Sequence, residues 1–261
     1  MHPFILSANI LENYDTLAAT DTDDGYDVLN VLDRRPYTWW QAGNVTTRTK
    51  YIEYWRDLAA PADTIGIVGH NLSSAGASIA LENSTDGMTW KTMVTGFTPG
   101  SDKAIILKTF SSASEKYWRL KIYRDGSDFI YKPRLAVVVI GTRLEFPTPP
   151  DSPFAPNPEE IVATSNKGRT GHHLGTVIGF YAVRITAKFA QLSTSWVAST
   201  LYPWWRDYGR RLLPFFWAWN LTAAPDSVHY LKLTDNSKFQ DPRSRAGFVD
   251  AVTLEMEGTG E

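Results

Sequence analysis

The sequence predicts a mainly β protein of two domains, and three observations lead to this fold class. Short alternating or β-branched runs recur between turn residues in the first half, a proline-rich joint follows, and the second half has one helix candidate among strand-prone runs. The chain of 261 residues is long enough for two hydrophobic cores. We therefore expect a first domain over residues 1–145, a linker over 146–160 and a second domain over 161–261.

The first half has the pattern of an antiparallel β-sandwich. Its strand-like runs are short, lie between polar turns such as Asn71–Gly76 and Ser84–Gly87, and include no long amphipathic helix. These runs are Tyr51–Asp57, Thr64–Val68, Ala77–Glu82, Ala104–Thr109, Tyr117–Tyr123 and Ala136–Ile140.

Prolines define the joint between the two halves. Pro147, Pro149, Pro150, Pro153, Pro156 and Pro158 all fall within thirteen positions of the chain. Proline fixes φ and has no N–H to donate, so neither a helix nor a central strand can pass through such a segment. The joint is predicted to be an extended, semi-rigid spacer.

The second half is predicted to contain strands and one helix. The long run Gly175–Ala190 is strand-prone with a phase break near Gly179, which indicates a β-bulge. The helix candidate is Ser193–Tyr208, which Ser193 or Ser195 can cap and Gly209 can end, and which Pro203 shortens or bends. The remaining strand candidates are Leu213–Trp219, Ser227–Thr234 and Phe248–Glu257.

Composition excludes several functional classes. The first 150 residues carry 15 Lys and Arg against 17 Asp and Glu, and the rest carry 11 against 11, so neither half has the basic balance of a nucleic-acid-binding protein. The chain has no cysteine, which excludes disulfides and thiolate metal sites. Its amino terminus lacks the pattern of a signal peptide, and no apolar run is long enough to span a membrane.

Motifs for catalysis, cofactors and metals are missing. The sequence contains no P-loop, GxGxxG, HExxH or GxSxG pattern. His172 and His173 are adjacent, so on a strand they point to opposite faces and do not readily chelate one ion; in a flexible loop they could, but no acidic cluster lies beside them. The acidic run at Asp21, Asp23 and Asp24 lacks the trailing glutamate of an EF-hand loop. We expect no cofactor, no metal site and no enzyme activity, although two convergent carboxylates of a glycosidase have no sequence signature that would reveal them.

Three segments in fixed order carry a resemblance in the first half: Val31–Ala42, Tyr54–Asn71 and Ser84–Trp90. Together they resemble the discoidin-like, or galactose-binding-like, jelly-roll family over roughly Ala8–Thr142. The matching positions are Leu32, Asp33, Thr38, Trp40, Asp57, Leu58, Ile65, Ile67, Ser84, Asp86, Gly87 and Trp90. Arg34 departs from the pattern, because the family usually has glycine after the aspartate.

The resemblance implies a jelly-roll sandwich that binds a surface saccharide through its loops. The candidate residues for that site are Arg35, Tyr37, Trp39, His70 and Asn71. An exposed aromatic ring would stack on a pyranose, while the Arg, His or Asn side chains would bond its hydroxyls. Some members also hold a structural Ca²⁺ in the first loop, for which Asp33 and Asp27 are the available carboxylates, but the missing glycine argues against that site.

Each of these residues also has a structural interpretation. Alternation along a strand sends one ring of the Trp39–Trp40 pair inward, and the family pattern makes Trp40 the core residue. Trp90 and Trp118 are likewise expected in the core. Trp39 then faces outward, into a subunit interface or onto a sugar, and His70 is either a hydrogen-bonded loop histidine or a ligand.

The second half resembles the ring domain of distal tail or baseplate-hub proteins of long-tailed phages, which is related to the tail-tube fold. The resemblance covers roughly Ile161–Gly258 and depends on the order strand, helix, aromatic strand, strand, closing strand. Its most specific segment is Pro214–Asn220 (PFFWAWN), followed by Val228–Leu233 (VHYLKL) and the terminal Leu254–Glu257 (LEME).

This second resemblance implies a structural virion protein at the tail tip, made in the host cytoplasm. Copies of the chain would close into a ring, which in this family is often a hexamer, and the ring would contact the tail tube protein and other tail-tip proteins. The candidate interface residues are Trp204, Trp205, Arg206, Arg210, Arg211 and Phe216, because obligate interfaces use aromatic and arginine anchors. The alternative is that many of them fill the domain's own core. A carbohydrate-binding module protein acting at a cell surface is the alternative function, and a glycan-active enzyme is a third.

Overall fold

The computed structural model describes residues 2–235, 237–239, 244–245, 248–249 and 251–260, and they form a mainly β protein, as predicted. The chain divides into two compact units. The sandwich unit comprises Leu6–Arg143, and the second unit comprises the residues up to Ile5 together with those from Leu144 onwards. Within the described residues, no helix has the length and apolarity needed to cross a bilayer.

Strands dominate both units. They are β1 (Phe4–Leu6), β2 (Thr16–Ala19), β3 (Trp40–Gln41), β4 (Thr49–His70), β5 (Ser78–Ser84), β6 (Lys91–Phe97), β7 (Ile106–Tyr123), β8 (Arg134–Gly141), β9 (Leu144–Glu145), β10 (Glu160–Lys167), β11 (His173–Phe189), β12 (Phe215–Ala218), β13 (Val228–Leu233), β14 (Ser244–Arg245), β15 (Phe248–Val249) and β16 (Val252–Gly260). The helices are short: α1 (Leu72–Ala75), α2 (Thr194–Trp196) and α3 (Tyr202–Asp207), with 3₁₀ turns at Ile10–Asn13, Val28–Leu32 and Gly209–Arg211 and a π turn at Val197–Leu201.

Two long strands build the sandwich by contributing to both of its layers. The register of β4 on β7 shifts between Trp55 and Ala60. The first half of β4 pairs with β2 on one side and with the second half of β7 on the other. That half of β7 also pairs with β5, and β5 pairs with β6. The second half of β4 pairs with β8, and β8 pairs with β3. The two layers therefore face each other across one core.

The core of the sandwich unit contains two of the expected tryptophans. Trp40 and Trp118 are both fully buried, which confirms those predictions. Trp90 is only half-buried, and this prediction was wrong: the guanidinium carbon of Arg119 lies 3.8 Å from the centroid of its ring. The guanidinium covers one surface of the indole, so the ring is stabilised at the surface by a cation–π contact.

The second unit is built on a sheet of order β10-β11-β16-β13-β12-β1-β9. Although β1 was expected within residues 1–145, it belongs to this sheet, where Phe4 pairs with Glu145. Phe146, the first residue of the expected linker, is fully buried, with its ring stacked 4.3 Å from that of Phe189. The backbone N–H of Asp151 donates to the carbonyl of Lys188 at 2.7 Å. Part of the proline-rich segment therefore packs within the second unit.

Local sequence signals in the second unit identify a bulge and a cap correctly. Opposite β10, the pairing passes from Phe180 to Ile178 and leaves Gly179 as the extra residue of a β-bulge. Ser193 caps α2, since its Oγ accepts from the N–H of Trp196 at 3.1 Å. Pro203 lies in the first turn of α3, directly after the π turn. The helix therefore continues to Asp207 although proline has no N–H to donate.

Candidate functional site

Loops from distant parts of the sequence meet at one end of the sandwich unit, which we call the loop end (residues 20–39, 42–48, 71–77, 98–105 and 124–133). Backbone hydrogen bonds join them: Phe129 donates to Val45 and Ile130 donates to Ala75, both at 3.0 Å. This is the end at which the candidate saccharide site was expected.

A tight turn presents the tip of the first loop. The Asp33 carboxylate accepts from the N–H of Arg35 at 2.8 Å and from the hydroxyl of Thr38. Arg34 has a φ of 61°, the left-handed conformation that glycine adopts most readily, which explains why the family pattern has glycine there. Its buried side chain donates to the carbonyl of Ser7 at 2.7 Å and pairs with Glu12, so the side chain anchors a strained backbone.

The turn leaves Tyr37 and Arg35 exposed. The Tyr37 side chain is 71% exposed, and the Arg35 guanidinium has no hydrogen bond to any of the described residues. An exposed phenol ring can stack on an apolar sugar face, and an exposed guanidinium two positions away in the chain can bond the sugar hydroxyls. Tyr37 and Arg35 are therefore the expected site residues that the structure leaves available.

The Trp39 ring packs against other side chains of the sandwich unit. Its ring stacks on that of Tyr26 with centroids 5.7 Å apart, and the Arg134 guanidinium lies 4.8 Å from its centroid. Its buried Nε1 has no partner among the described residues. Trp39 therefore supports the loop end and is half-buried, which leaves little of its ring for a ligand.

His70 and Asn71 are structural residues of the loop end. His70 is buried, its Nε2 lies 2.9 Å from the carbonyl oxygen of Ala104, and its Nδ1 accepts from the N–H of Leu72 at 3.3 Å. Burial lowers the pKa of His70, so the ring is neutral near pH 7. Asn71 donates to the carbonyl of Lys132 at 2.9 Å and accepts from the N–H of Arg134 at 2.8 Å. Both side chains therefore use their hydrogen-bonding groups on the backbone of the unit itself.

The acidic run near residue 21 is paired with lysines. The fully buried Lys50 ammonium contacts the Asp21 carboxylate and lies 3.0 Å from Asn44 Oδ1. Lys132 donates to Asp23 at 2.8 Å, and this hydrogen bond lowers the pKa of Asp23. Among the described residues, no three acidic or histidine side chains form a group that could hold a metal ion. Asp27 caps the 3₁₀ turn at Val28–Leu32 instead.

The expected interface residues of the second unit divide into buried and exposed ones. Trp204 and Phe216 are buried in the chain itself, where Trp204 packs edge-on to Phe215 at 5.5 Å, so they have no surface to offer a second subunit. Trp205 is half-buried against Phe239 at 5.7 Å. The exposed members are Arg206, Arg210 and Arg211, of which Arg206 pairs with Asp207 through bonds of 2.8 and 3.1 Å.

Comparison with known proteins yields solved structures only. No family model and no curated protein matches the chain. A chitosan-binding module from a Paenibacillus chitosanase/glucanase is 20% identical over 51% of this chain and 98% of its own, with a TM-score of 0.43. A pectin-binding carbohydrate-binding module is 20% identical over 49% of this chain and 89% of its own (TM-score 0.39). A CBM32 module of AlyQ in complex with an unsaturated mannuronic acid is 15% identical over 49% and 94% (TM-score 0.39).

Two exposed features were missed from the sequence. Tyr131 is 60% exposed at the loop end, in a segment whose sequence has no motif that distinguishes it. In the second unit, the hairpin of β10 and β11 carries exposed apolar side chains on both strands, among them Ile161, Leu174, Val177 and Phe180. A largely apolar strand run such as that in Gly175–Ala190 predicts a strand whose two faces are both covered. That pattern could have indicated from the sequence that this strand needs a covering partner.

Proposed function

We propose that this chain is a non-catalytic binding protein whose sandwich unit binds a saccharide at the loop end. The observation that carries the proposal is the exposed pair of Tyr37 and Arg35 on a turn that Asp33 fixes. Tyr131 adds a second exposed ring at the same end. The jelly-roll resemblance of the sequence favours the same function, and the solved structures named above include a chitosan-binding and a pectin-binding module.

The test is binding of the full-length chain to a glycan array, followed by titration of each hit against three variants. Tyr37→Ala and Arg35→Ala are each expected to weaken binding roughly three- to tenfold, the value of one aromatic contact or one hydrogen bond. Tyr202→Ala is the matched control, because Tyr202 is an exposed tyrosine of the second unit. Unchanged affinity in both loop variants would contradict the proposal.

A second candidate function, self-assembly, has its own observation in the second unit. Residues Tyr181–Phe189 of β11 pair with β16, whereas the stretch before them pairs, among the described residues, with β10 alone. The resulting two-stranded arm (residues 161–180) carries Leu174 at 70%, Val177 at 64% and Phe180 at 50% exposure. A two-stranded ribbon is marginal in water, and contiguous exposed apolar side chains are typical of an interface.

The occupant that we infer for the arm is another copy of this chain, in a ring at the distal end of a phage tail. The phage-tail resemblance of the second half supports that assembly, and the exposed Arg210 and Arg211 supply further anchors of the kind such interfaces use. The ring would connect the tail tube with the tip proteins. Saccharide binding and ring assembly are compatible, because they use residues of different units.

Mass photometry and negative-stain microscopy of the purified chain test the assembly. Rings with a central hole are expected, and Val177→Lys should reduce them to smaller species because it places a charge in the apolar arm. Ala198→Lys adds the same charge to an exposed helical position and should leave rings intact. A monomer at every concentration, or rings that tolerate Val177→Lys, would exclude the arm as the interface.

A further inference from the structure

Three side chains at the base of the loop end form a compact group that neither proposed function uses. Lys50 belongs to β4, and its side chain is fully buried. Its ammonium contacts the Asp21 carboxylate and lies 3.0 Å from Oδ1 of Asn44. The Asn44 side chain in turn donates from Nδ2 to Asp21 at 2.9 Å. An amine, an amide and a carboxylate are therefore in mutual contact.

A single oxygen atom of Asp21 lies between the amine and the amide. Its Oδ2 accepts from Lys50 Nζ, from Asn44 Nδ2 and, at 3.1 Å, from the backbone N–H of Asn44. The other oxygen, Oδ1, lies so close to Gly43 that a β-carbon at this position would overlap it. Asp21 is therefore held in place, and a proton that leaves Nζ can reach Nδ2 through one carboxylate oxygen.

The carbonyl oxygen of the Asn44 side chain lies among hydrogen-bond donors. Oδ1 accepts from the backbone N–H of Thr46 at 3.1 Å, from that of Thr47 at 3.0 Å and from the Thr46 hydroxyl at 3.2 Å. Donors in this position stabilise the negative charge that a carbonyl oxygen acquires when its carbon is attacked. An ordinary Asx turn has similar hydrogen bonds, and the buried amine beside Oδ1 is what distinguishes this one.

We propose that these residues form an intramolecular isopeptide bond, an amide between Lys50 Nζ and Asn44 Cγ. The Lys50 ammonium first gives a proton to Asp21, and the neutral amine attacks Cγ while the carbonyl electron pair moves to Oδ1. Asp21 then relays protons from Nζ to Nδ2, the Cγ–Nδ2 bond breaks and the carbonyl forms again. Nδ2 leaves as ammonium and Asp21 returns to its carboxylate form, so the reaction balances without an oxidant, a reductant or a co-reactant.

The fixed contact of the three groups favours this bond. Amines and amides react very slowly when they meet in water, whereas groups held in contact have effective concentrations of about 10⁵–10⁸ M. Among the described residues, no second carboxylate bonds Lys50 or Asn44, so a link from Lys50 to Asp21 would consume the proton carrier of the group. The Lys50–Asn44 bond ties residues 42–48 covalently to β4, beneath the exposed tip of the loop end.

Mass spectrometry of the purified, denatured full-length chain tests the proposal. The intact chain is expected to be lighter than its sequence mass by one ammonia. Trypsin does not cut after an acylated lysine, so the digest should contain residues 35–48 joined to residues 49–56. Tandem mass spectrometry of the joined peptides then locates the bond at Asn44 and Lys50.

Variants separate the roles of the three groups. Asn44→Ala and Lys50→Met each remove one bonded side chain, and Asp21→Asn removes the proton carrier, so each variant should have its full sequence mass. Lys116→Met is the control, because that lysine pairs with Asp57 on the surface, and it should keep the loss of ammonia. The mass of the unmodified sequence is decisive on its own, so the test does not depend on the folding of the variants.

Three outcomes would overturn the proposal. They are a wild-type chain with its full sequence mass, a loss of water with a link between Lys50 and Asp21, and a loss of ammonia without joined peptides. An ion pair that is purely structural changes the stability of the variants and leaves the wild-type mass at its sequence value. The result does not depend on saccharide binding or on ring assembly.

Discussion

Lys50→Met is the substitution that most directly tests how the loop end is held together. The Lys50 side chain is fully buried, whereas that of its partner Asp21 is 21% exposed. Asn44 donates to Asp21 through its backbone N–H at 3.1 Å and its side-chain amide at 2.9 Å, so Asp21 keeps some support without the lysine. Methionine preserves most of the apolar stem of lysine and removes only the charge.

The expected loss follows from the burial of the pair. Removing one partner of a fully buried ion pair costs about 3–5 kcal/mol, because the other charge remains in the interior. Partial exposure of Asp21 and its two donors from Asn44 reduce this value, so we expect Lys50→Met to lower the free energy of unfolding by about 2–4 kcal/mol. Asp21→Asn should cost at least as much, since the stranded ammonium is the more deeply buried charge.

Urea unfolding of the full-length chain measures these costs, and amide exchange at Ile52 and Ile122 assigns the transition to the sandwich unit. The double variant Lys50→Met/Asp21→Asn should lose less than the sum of the single losses, by about 1–3 kcal/mol. Lys116→Met is the control, because that lysine pairs with Asp57 on the surface at 3.2 Å and should cost under about 1 kcal/mol. The reasoning fails if Lys50→Met costs no more than the control, or if the double variant is additive.

Three further predictions concern the sandwich unit. Arg34→Ala should be less stable than Arg34→Gly by about 1 kcal/mol in urea unfolding, because only alanine keeps the strain of a positive φ; equal stabilities would contradict this. Burial lowers the pKa of His70, so its stabilising effect is complete above its ordinary pKa of about 6.5 and is lost as the pH falls toward the folded-state pKa. His70→Gln should flatten the fall in melting temperature between about pH 7 and pH 5, and an unchanged slope would count against it. Arg119→Met should cost about 1–3 kcal/mol in urea unfolding, because the guanidinium bonds Glu82 at 2.6 Å and stacks on Trp90; a loss as small as that of Lys116→Met would refute it.

Features that depend on neighbouring residues were predictable from the sequence. The order of strands and helix in the second unit follows from local patterns, and Gly179 marks the bulge because glycine tolerates the unusual backbone that a bulge requires. Ser193 caps α2 for an equally local reason, since a serine hydroxyl reaches the N–H three residues ahead. Trp40 and Trp118 could be assigned to the core from strand alternation and the family pattern.

Features that depend on distant residues were not predictable. The partners of His70 and Asn71 are Ala104 and Lys132, which are 34 and 61 positions away, so the sequence could not show that these side chains support loops. Strand β1 pairs with β9 across nearly the whole sandwich unit, which no local pattern reveals. Arg119 lies opposite Glu82 because β5 and β7 pair in one particular register, and its guanidinium also covers Trp90; neither neighbour could be found from the sequence.

Cationic side chains of the chain itself hold the base of the loop end together. Arg34 occupies the left-handed position and anchors it to Ser7 and Glu12, while Lys50 and Lys132 neutralise the acidic run at Asp21 and Asp23. The base beneath the exposed tip is therefore fixed before any ligand arrives, and little ordering entropy is left to oppose binding at Tyr37. The arm of the second unit lacks such support, because it is a two-stranded ribbon with apolar side chains in water. If the sandwich unit binds a saccharide and the chain forms rings as proposed, saccharide affinity should be the same in monomers and rings, whereas protection of the arm from amide exchange should appear only on assembly.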